Sequence, residues 1–287
     1  MTRGERDAAV APGRGALTGK EYWDAAWRGR RDGDRYATLG WIGRSYPYRA
    51  LDRLLRSVLP VDPSRTVMEL GSGPGRWLIY FHRTFGYRVF GCDYSPVSCK
   101  QARENLARSG IPATILERDF RALEGQYNVV FSAGVVEHFE DPGGLVETFA
   151  GLVAPGGFLV TDVPNLRGLN GLYRRLLRPE TFATHRVIDL ADLRAWHRRA
   201  GLEVVTATSY GSVCLTRLPH DAFAGRPRIQ RWLWRPLYRL ASGSVNRGCL
   251  LLHGLRLRLD HPLISPHVLV VARTPGPGAS PRRKGRR

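Results

Sequence analysis

The sequence predicts an α/β protein: a Rossmann-like, doubly wound sheet of seven strands with the last strand antiparallel. N-terminal helices precede the sheet, and a helical cap is inserted between strands six and seven. Three observations carry this expectation. Short apolar segments alternate with helical ones across residues 65–163, the pattern of a parallel sheet covered on both faces. The stretch Val67-Met68-Glu69-Leu70-Gly71-Ser72-Gly73-Pro74-Gly75 reads as a buried strand running into a glycine-rich turn. A second short apolar segment ends in an acid, Asp93, about 20 residues after those glycines, at the spacing of nucleoside-binding α/β units.

Taken in order, the first strand ends at Glu69-Leu70, and a helix is expected from about Arg76. The glycines fall at 71, 73 and 75, not at the G-x-G-x-x-G spacing of a dinucleotide turn. Glu69, two residues ahead, would repel a pyrophosphate, which needs backbone N–H groups and a helix dipole. A ligand carrying a sulfonium and an ammonium group favours a carboxylate there, so the turn points to S-adenosylmethionine and away from a nicotinamide dinucleotide. Tyr87–Asp93 reads as the second strand; Ser95-Pro96 then caps a helix that Gly110 closes. Ala113–Glu117 is the third strand, leading into Arg118-Asp119-Phe120. An acid followed by an aromatic suits an adenine, with Asp119 accepting from the exocyclic amine and Phe120 offering a ring face. Tyr127–Ser132 is the fourth strand, followed by Ala133 to Glu140 and a helix capped by Asp141-Pro142 that ends around Ala154–Gly157. Phe158–Val163 is the fifth strand, Leu202–Ser209 the sixth and Ser265–Ala272 the seventh.

These motifs resemble the class I, seven-stranded S-adenosylmethionine-dependent methyltransferases. The likeness rests on Glu69 to Gly75, Gly91-Cys92-Asp93, Arg118-Asp119-Phe120, Val136-Glu137-His138-Phe139 and Leu152 to Gly157, and covers about residues 20–210. The Glu-His pair and the Pro-Gly-Gly run look most like the branch acting on quinone precursors, sugars and other small molecules. The resemblance implies that Gly71, Ser72, Gly73 and Gly75 let backbone approach the methionine half of the cofactor, with Glu69 acting through water or backbone. It implies that Asp93 holds the ribose hydroxyls and Tyr94 lies along the adenine set by Asp119 and Phe120. Val135 and its neighbours would cover the cofactor near the methyl group, and the last strand would lie antiparallel at the sheet edge.

The expected organisation is a disordered tail at 1–18, a methyltransferase domain at 19–273 with a cap insertion at 211–262, and a disordered basic tail at 274–287. The formal net charge of +19 is unevenly spread: residues 60–163 are net −3 and residues 164–287 net +17. The acidic balance of the core suits a cationic donor. Four cysteines, at 92, 99, 214 and 249, show no C-x-x-C, and with no 18-residue apolar run and no signal-like N-terminus a cytoplasmic protein is expected. No His, Cys or acid group shows ligand spacing along the chain, so no metal is expected.

The substrate-choosing parts lie outside the core. Glu21–Trp27 makes an N-terminal helix whose Tyr22 and Trp23 either close over the cofactor or pack on the sheet. Leu51, Leu54, Leu55 and Val58 form an apolar stripe. Leu169 to Arg178 is a basic amphipathic helix, and Ile229 to Leu240 a second one in which Pro236 should kink or split the helix. The second permits docking on an anionic membrane surface, which would make the protein peripheral, and equally suits a cap helix packed on the core; the cap and the 166–178 helix are expected to form the acceptor pocket. A hydroxyl acceptor calls for a general base; His138 is the first candidate and His185 the second. A nucleic-acid acceptor is disfavoured, because Ser132-Ala133-Gly134-Val135 stands where amino-methylating enzymes carry Asp/Asn-Pro-Pro-aromatic. The expected activity is thus methyl transfer to a small-molecule or lipid-linked acceptor, at oxygen. Nucleic-acid methylation and non-catalytic cofactor binding are the alternatives, and the oligomeric state is left open.

Overall fold

The computed structural model describes residues 15–28, 36, 38–177, 179–212, 228–255, 257 and 259–276. Helices α1 (Lys20–Arg28), α2 (Gly40–Gly43) and α3 (Tyr46–Val58) precede the sheet. Then come β1 (Thr66–Leu70), α4 (Arg76–Phe85), β2 (Arg88–Asp93), α5 (Pro96–Arg108), β3 (Ala113–Glu117), β4 (Tyr127–Ala133), α6 (Pro142–Gly151) and β5 (Val153–Pro164). The chain continues through α7 (Leu169–Leu177), α8 (Pro179–Ala183), α9 (Leu190–Arg199), β6 (Glu203–Tyr210), α10 (Arg228–Gly254) and β7 (His267–Arg273). All strands form one sheet in the order β3-β2-β1-β4-β5-β7-β6.

β7 is antiparallel to both its neighbours, β5 and β6. The antiparallel strand therefore lies inside the sheet, and β6 forms the edge that the sequence reading gave to β7. The physical reason is that β5 and β6 run the same way, so a reversed strand between them pairs with both. The period-2 pattern sends Val67, Val129, Phe131, Val160, Leu269 and Val271 to one face with α3 and α4. Met68, Leu70, Val130, Leu159, Val268 and Val270 go to the other, with α6 and α9.

Local signals set the boundaries. Ser95 caps α5 by accepting from Ser98 N, Asp141 caps α6 through Gly144 N, and Asp189 caps α9 through Asp192 N. Four boundaries differ from the sequence reading. α6 stops at Gly151 and β5 starts at Val153, because the Pro155-Gly156-Gly157 run is taken into the strand as an irregularity opposite Tyr127 and Val129, with Gly156 at φ 72°. Gly15 to Thr18, placed in the N-terminal tail from sequence, bind 138–140: Leu17 N donates to His138 O at 2.8 Å and Glu140 N to Gly15 O at 2.7 Å. Thr274, placed in the C-terminal tail, donates to Ala154 O at 2.6 Å. In the cap, one helix of 27 residues runs through Pro236, so the expected split does not occur. The rest of the two tails, 1–14 and 277–287, and cap residues 213–227 lie outside the described residues.

Candidate functional site

The C-terminal ends of β1, β2 and β4 converge on the glycine turn. Gly71 and Ser72 donate backbone N–H groups to Cys92 O at 2.8 and 3.2 Å, which ties the turn to the end of β2. Gly71 (φ 74°) and Gly75 (φ 84°) occupy left-handed backbone that side chains rarely adopt. Gly73 is required for a different reason: a Cβ there would lie 2.0 Å from Ser98 Oγ and 2.9 Å from Ser98 Cβ. Asn105 Nδ2 donates to Pro74 O at 2.8 Å, clamping the turn onto α5. Val135, in the loop after β4, covers it from the far side; its Cγ2 would meet a Cβ on Gly71 at 2.8 Å.

Two buried carboxyls flank the turn. Asp93 accepts from Ser98 Oγ at 2.6 Å, Ser95 N at 2.9 Å and Gly73 N at 3.3 Å. Burial pushes its carboxyl above the usual range, against the pull of those three donors. Glu69 is driven well up by burial, with the Arg76 guanidinium pulling the other way. Glu69 Oε2 and Ser72 Oγ are buried without a hydrogen-bond partner among the described residues. Orphaned acceptors of this kind beside a turn that excludes side chains fit a ligand with ammonium and sulfonium groups. Tyr94, half-buried beside Asp93, has its hydroxyl pushed up by burial.

Two residues expected at the adenine are engaged elsewhere. Asp119 accepts from Arg121 N at 2.9 Å and from Arg121 Nε at 3.0 Å. Burial raises that carboxyl, but the Arg121 bonds prevail and hold it below the usual range. Phe120 is 3% exposed and packs on Phe139 and Phe149, with ring centroids 5.7 and 5.4 Å away. Its ring is part of the core here; an aromatic after an acid does not specify which side it packs on.

Helix α1 covers the turn. Asp24 accepts from Ser95 Oγ at 2.6 Å, Gln101 Nε2 donates to Trp27 O at 2.8 Å, and Trp27 Cε2 would lie 3.4 Å from a Cβ on Gly73. Trp23 stands edge-on to His138, with centroids 5.0 Å apart. Of the two readings of this helix, closing over the turn is the one the contacts match.

His138 is 5% exposed and its Nδ1 donates to Thr184 O at 2.9 Å. Burial, then the neighbouring His185, lower it to about 3. Burial of this kind disfavours the protonated imidazole. His185 donates Nδ1–H to Thr181 O at 2.6 Å and is lowered to about 4 by burial and Arg174. Each imidazole therefore keeps its lone pair on Nε2. Burial raises Glu137 beside them to about 8, and its Oε2 has no hydrogen-bond partner among the described residues. One ligand atom from each of Glu137, His138 and His185 lies within 4.8 Å of the others. This is the group that bears on the expectation of no metal: chain spacing does not reveal it, because the Thr184 carbonyl and the 181–185 turn bring His185 in from far along the sequence. The spread is wider than the roughly 3.3 Å between ligands that a closed zinc sphere with 2.0–2.1 Å bonds would give.

Sequence reasoning also missed Arg76. Its guanidinium lies 5.3–5.7 Å from the Trp41, Tyr48 and Trp77 rings, donates to Tyr48 Oη at 3.0 Å and interacts electrostatically with Glu69.

Comparison with known proteins follows this geometry. A family model described as a methyltransferase domain matches residues 42–207. A ubiquinone biosynthesis O-methyltransferase of Bordetella avium is 31% identical over 151 residues, 48% of this chain and 62% of that protein. The chain thus spans about three-fifths of the length of that relative. Among solved structures, the Haloferax volcanii complex of the Trm112 methyltransferase activator with a putative methyltransferase superposes with a TM-score of 0.54. It is 22% identical and covers 89% of this chain and 95% of that one. The magnesium protoporphyrin IX methyltransferase of Synechocystis with bound SAM gives 0.51 at 15% identity, covering 89% and 94%. At such identities the structural likeness is one of fold.

Proposed function

Since the chain belongs to the methyltransferase-domain family, in its class I branch, we propose that it transfers the methyl group of S-adenosylmethionine to an oxygen of a small-molecule acceptor. The observation that carries this reading is the turn Gly71–Gly75 held between two buried carboxyls, Glu69 and Asp93, with Glu69 Oε2 and Ser72 Oγ buried and without a hydrogen-bond partner among the described residues. The bound cofactor would supply an activated methyl on a good leaving group. The chain's own part is then alignment and exclusion of water, and positioning of this kind contributes roughly 7–11 kcal/mol in favourable cases. Gly71, Gly73 and Gly75 would admit the methionine half, Asp93 would meet the ribose, and α1 with Val135 would close the site. The test is transfer of labelled methyl from S-adenosylmethionine to a cell extract. Label in small molecules is expected; label confined to nucleic acid, or none, contradicts the reading.

The acceptor is apolar and drawn from a membrane surface. Its support is the exposed apolar side chains among arginines: Leu169, Leu172 and Leu176 on α7, and Trp232 (76% exposed), Leu237 and Leu240 on α10. Leu263, also exposed, is brought to the foot of α7 by the 2.7 Å bond from Leu169 N to Leu263 O. Among the described residues no helix is long and apolar enough to cross a membrane. Such a surface suits interfacial docking, where buried apolar area adds to attraction by anionic lipid. The protein is expected to sediment with phosphatidylglycerol vesicles and not with phosphatidylcholine ones. Equal recovery in the supernatant with and without anionic vesicles removes this part.

A further inference from the structure

Pairing across β5, β7 and β6 builds a polar cluster that neither the turn nor the His138 loop uses. Pro164 of β5 lies opposite His267 of β7, which in turn lies opposite Tyr210 of β6. Residues opposite one another share a face, and Asp162, two before Pro164, shares it too. Asp162, His267 and Tyr210 therefore form one row at the C-terminal edge of the sheet. That edge also carries Glu69 and Asp93, on the side away from β2.

The row is organised around the carboxylate. Asp162 is 5% exposed and accepts from Tyr210 Oη at 3.0 Å. Its other oxygen lies 3.4 Å from His267 Nδ1, which has no hydrogen-bond partner among the described residues. The Tyr210 and His267 rings stack with centroids 5.1 Å apart at 22°, fixing the imidazole plane. Nδ1 is buried and lies nearer the carboxylate, short of a hydrogen bond, so a proton placed there by Asp162 would leave Nε2 as the accepting atom. The His267 side chain is 24% exposed although Nδ1 is buried, so the rest of the ring meets solvent. His138 differs in each respect: it is 5% exposed, bonded to a carbonyl and under Trp23.

We propose that His267, held by Asp162 and Tyr210, is the general base for a phenolic hydroxyl acceptor. This rests on the methyl-transfer reading above. As the oxygen bonds to the methyl carbon, its O–H bond breaks and the proton passes to His267 Nε2. The carbon–sulfur bond gives its electron pair to sulfur. One positive charge thus moves from sulfonium to imidazolium, where the Asp162 carboxylate stabilises it, and the imidazolium then releases its proton to solvent. Asp162 and Tyr210 are positioning residues. Among the described residues, the charged and titratable groups around them include Glu137 beyond Asp162, Tyr48 and Arg76 beyond Tyr210, and Arg53, His253 and Asp260, which line one cavity with Tyr210.

The experiment uses the full chain, S-adenosylmethionine and an alkyl-substituted catechol carried in phosphatidylglycerol vesicles as the phenol probe. Wild type that fails to bind S-adenosylmethionine by calorimetry would sink the underlying methyl-transfer reading. Given binding, His267→Gln is expected to bind the cofactor within about twofold while kcat falls about a hundredfold or more, the usual weight of a general base. Added imidazole should restore part of the rate to His267→Ala. A merely structural role would show no such rescue. Nitrogen-15 spectra of the histidines give a readout independent of turnover: neutral His267 should carry its proton on Nδ1. A proton on Nε2, turnover of His267→Gln within threefold of wild type, or a wild type that binds cofactor but methylates no phenol each overturns the proposal.

Discussion

Gly73→Ala tests the turn most sharply, because its cost can be worked from named contacts. The added methyl would lie 2.0 Å from Ser98 Oγ and 2.9 Å from Ser98 Cβ. Rotating the Ser98 hydroxyl away relieves the first clash but gives up its 2.6 Å bond to the buried Asp93 carboxylate. A hydrogen bond to a charged group is worth about 1.5–3 kcal/mol. Rotation does not move Cβ, so the second clash needs α5 to shift, and overpacking of this kind costs about 1–3 kcal/mol. The total expected loss is about 2.5–6 kcal/mol, or 1–3 kcal/mol if the Asp93 bond re-forms. Urea denaturation measures it, and calorimetry with S-adenosylhomocysteine should show binding weakened at least tenfold in the folded fraction. In Ser98→Ala the hydroxyl part is already lost, so Gly73→Ala should cost less in that background. A Gly73→Ala protein within 0.5 kcal/mol of wild type, a margin below the lowest overpacking cost, that binds with unchanged affinity would refute the reasoning.

Two further outcomes follow from contacts already described. Trp27→Ala removes the indole from Gly73, so stopped-flow association of S-adenosylhomocysteine should quicken several-fold; an unchanged rate means α1 does not gate the turn. His197, fully buried between Leu193 O and the Thr161 hydroxyl, is lowered to about 4 by burial. The unfolded chain therefore binds the extra proton between about pH 4 and the ordinary value of 6.5, so stability is full above 6.5 and is lost as pH falls through that window. Urea denaturation at pH 7.5 and 5.0 should show that loss, and His197→Gln should lessen it; an equal loss in both proteins contradicts the assignment.

Much of the fold was legible because its signals are local. Ser95-Pro96, Asp141-Pro142 and Asp189 announce helix starts through side-chain caps, and the glycines at 71, 73 and 75 announce a turn that admits no side chain. The acids at strand ends were equally visible. What those acids and aromatics touch was not. Asp119 is claimed by Arg121 two residues on, and Phe120 turns into the core against Phe149; a residue's type does not say which side it packs on. The Glu137–His138–His185 group and the Asp162–His267–Tyr210 row were hidden for a stronger reason. Both depend on pairing between distant segments, and a one-residue change of register between β5 and β7 would send His267 to the opposite face. The place of β7 inside the sheet belongs to the same long-range category. Of the two outcomes expected at Pro236, a kink or a split, the split does not occur, since a missing N–H costs one helical bond and α10 continues past it.

The account stands on Asp93 and the 71–75 turn forming a pocket for a sulfonium donor. Calorimetry of wild type and Asp93→Asn with S-adenosylmethionine, S-adenosylhomocysteine and NAD tests this most directly. Wild type should bind the first two and not NAD, and Asp93→Asn should bind both at least tenfold more weakly while still folded by circular dichroism. Binding of NAD in their place, or equal affinity in the two proteins, would contradict it.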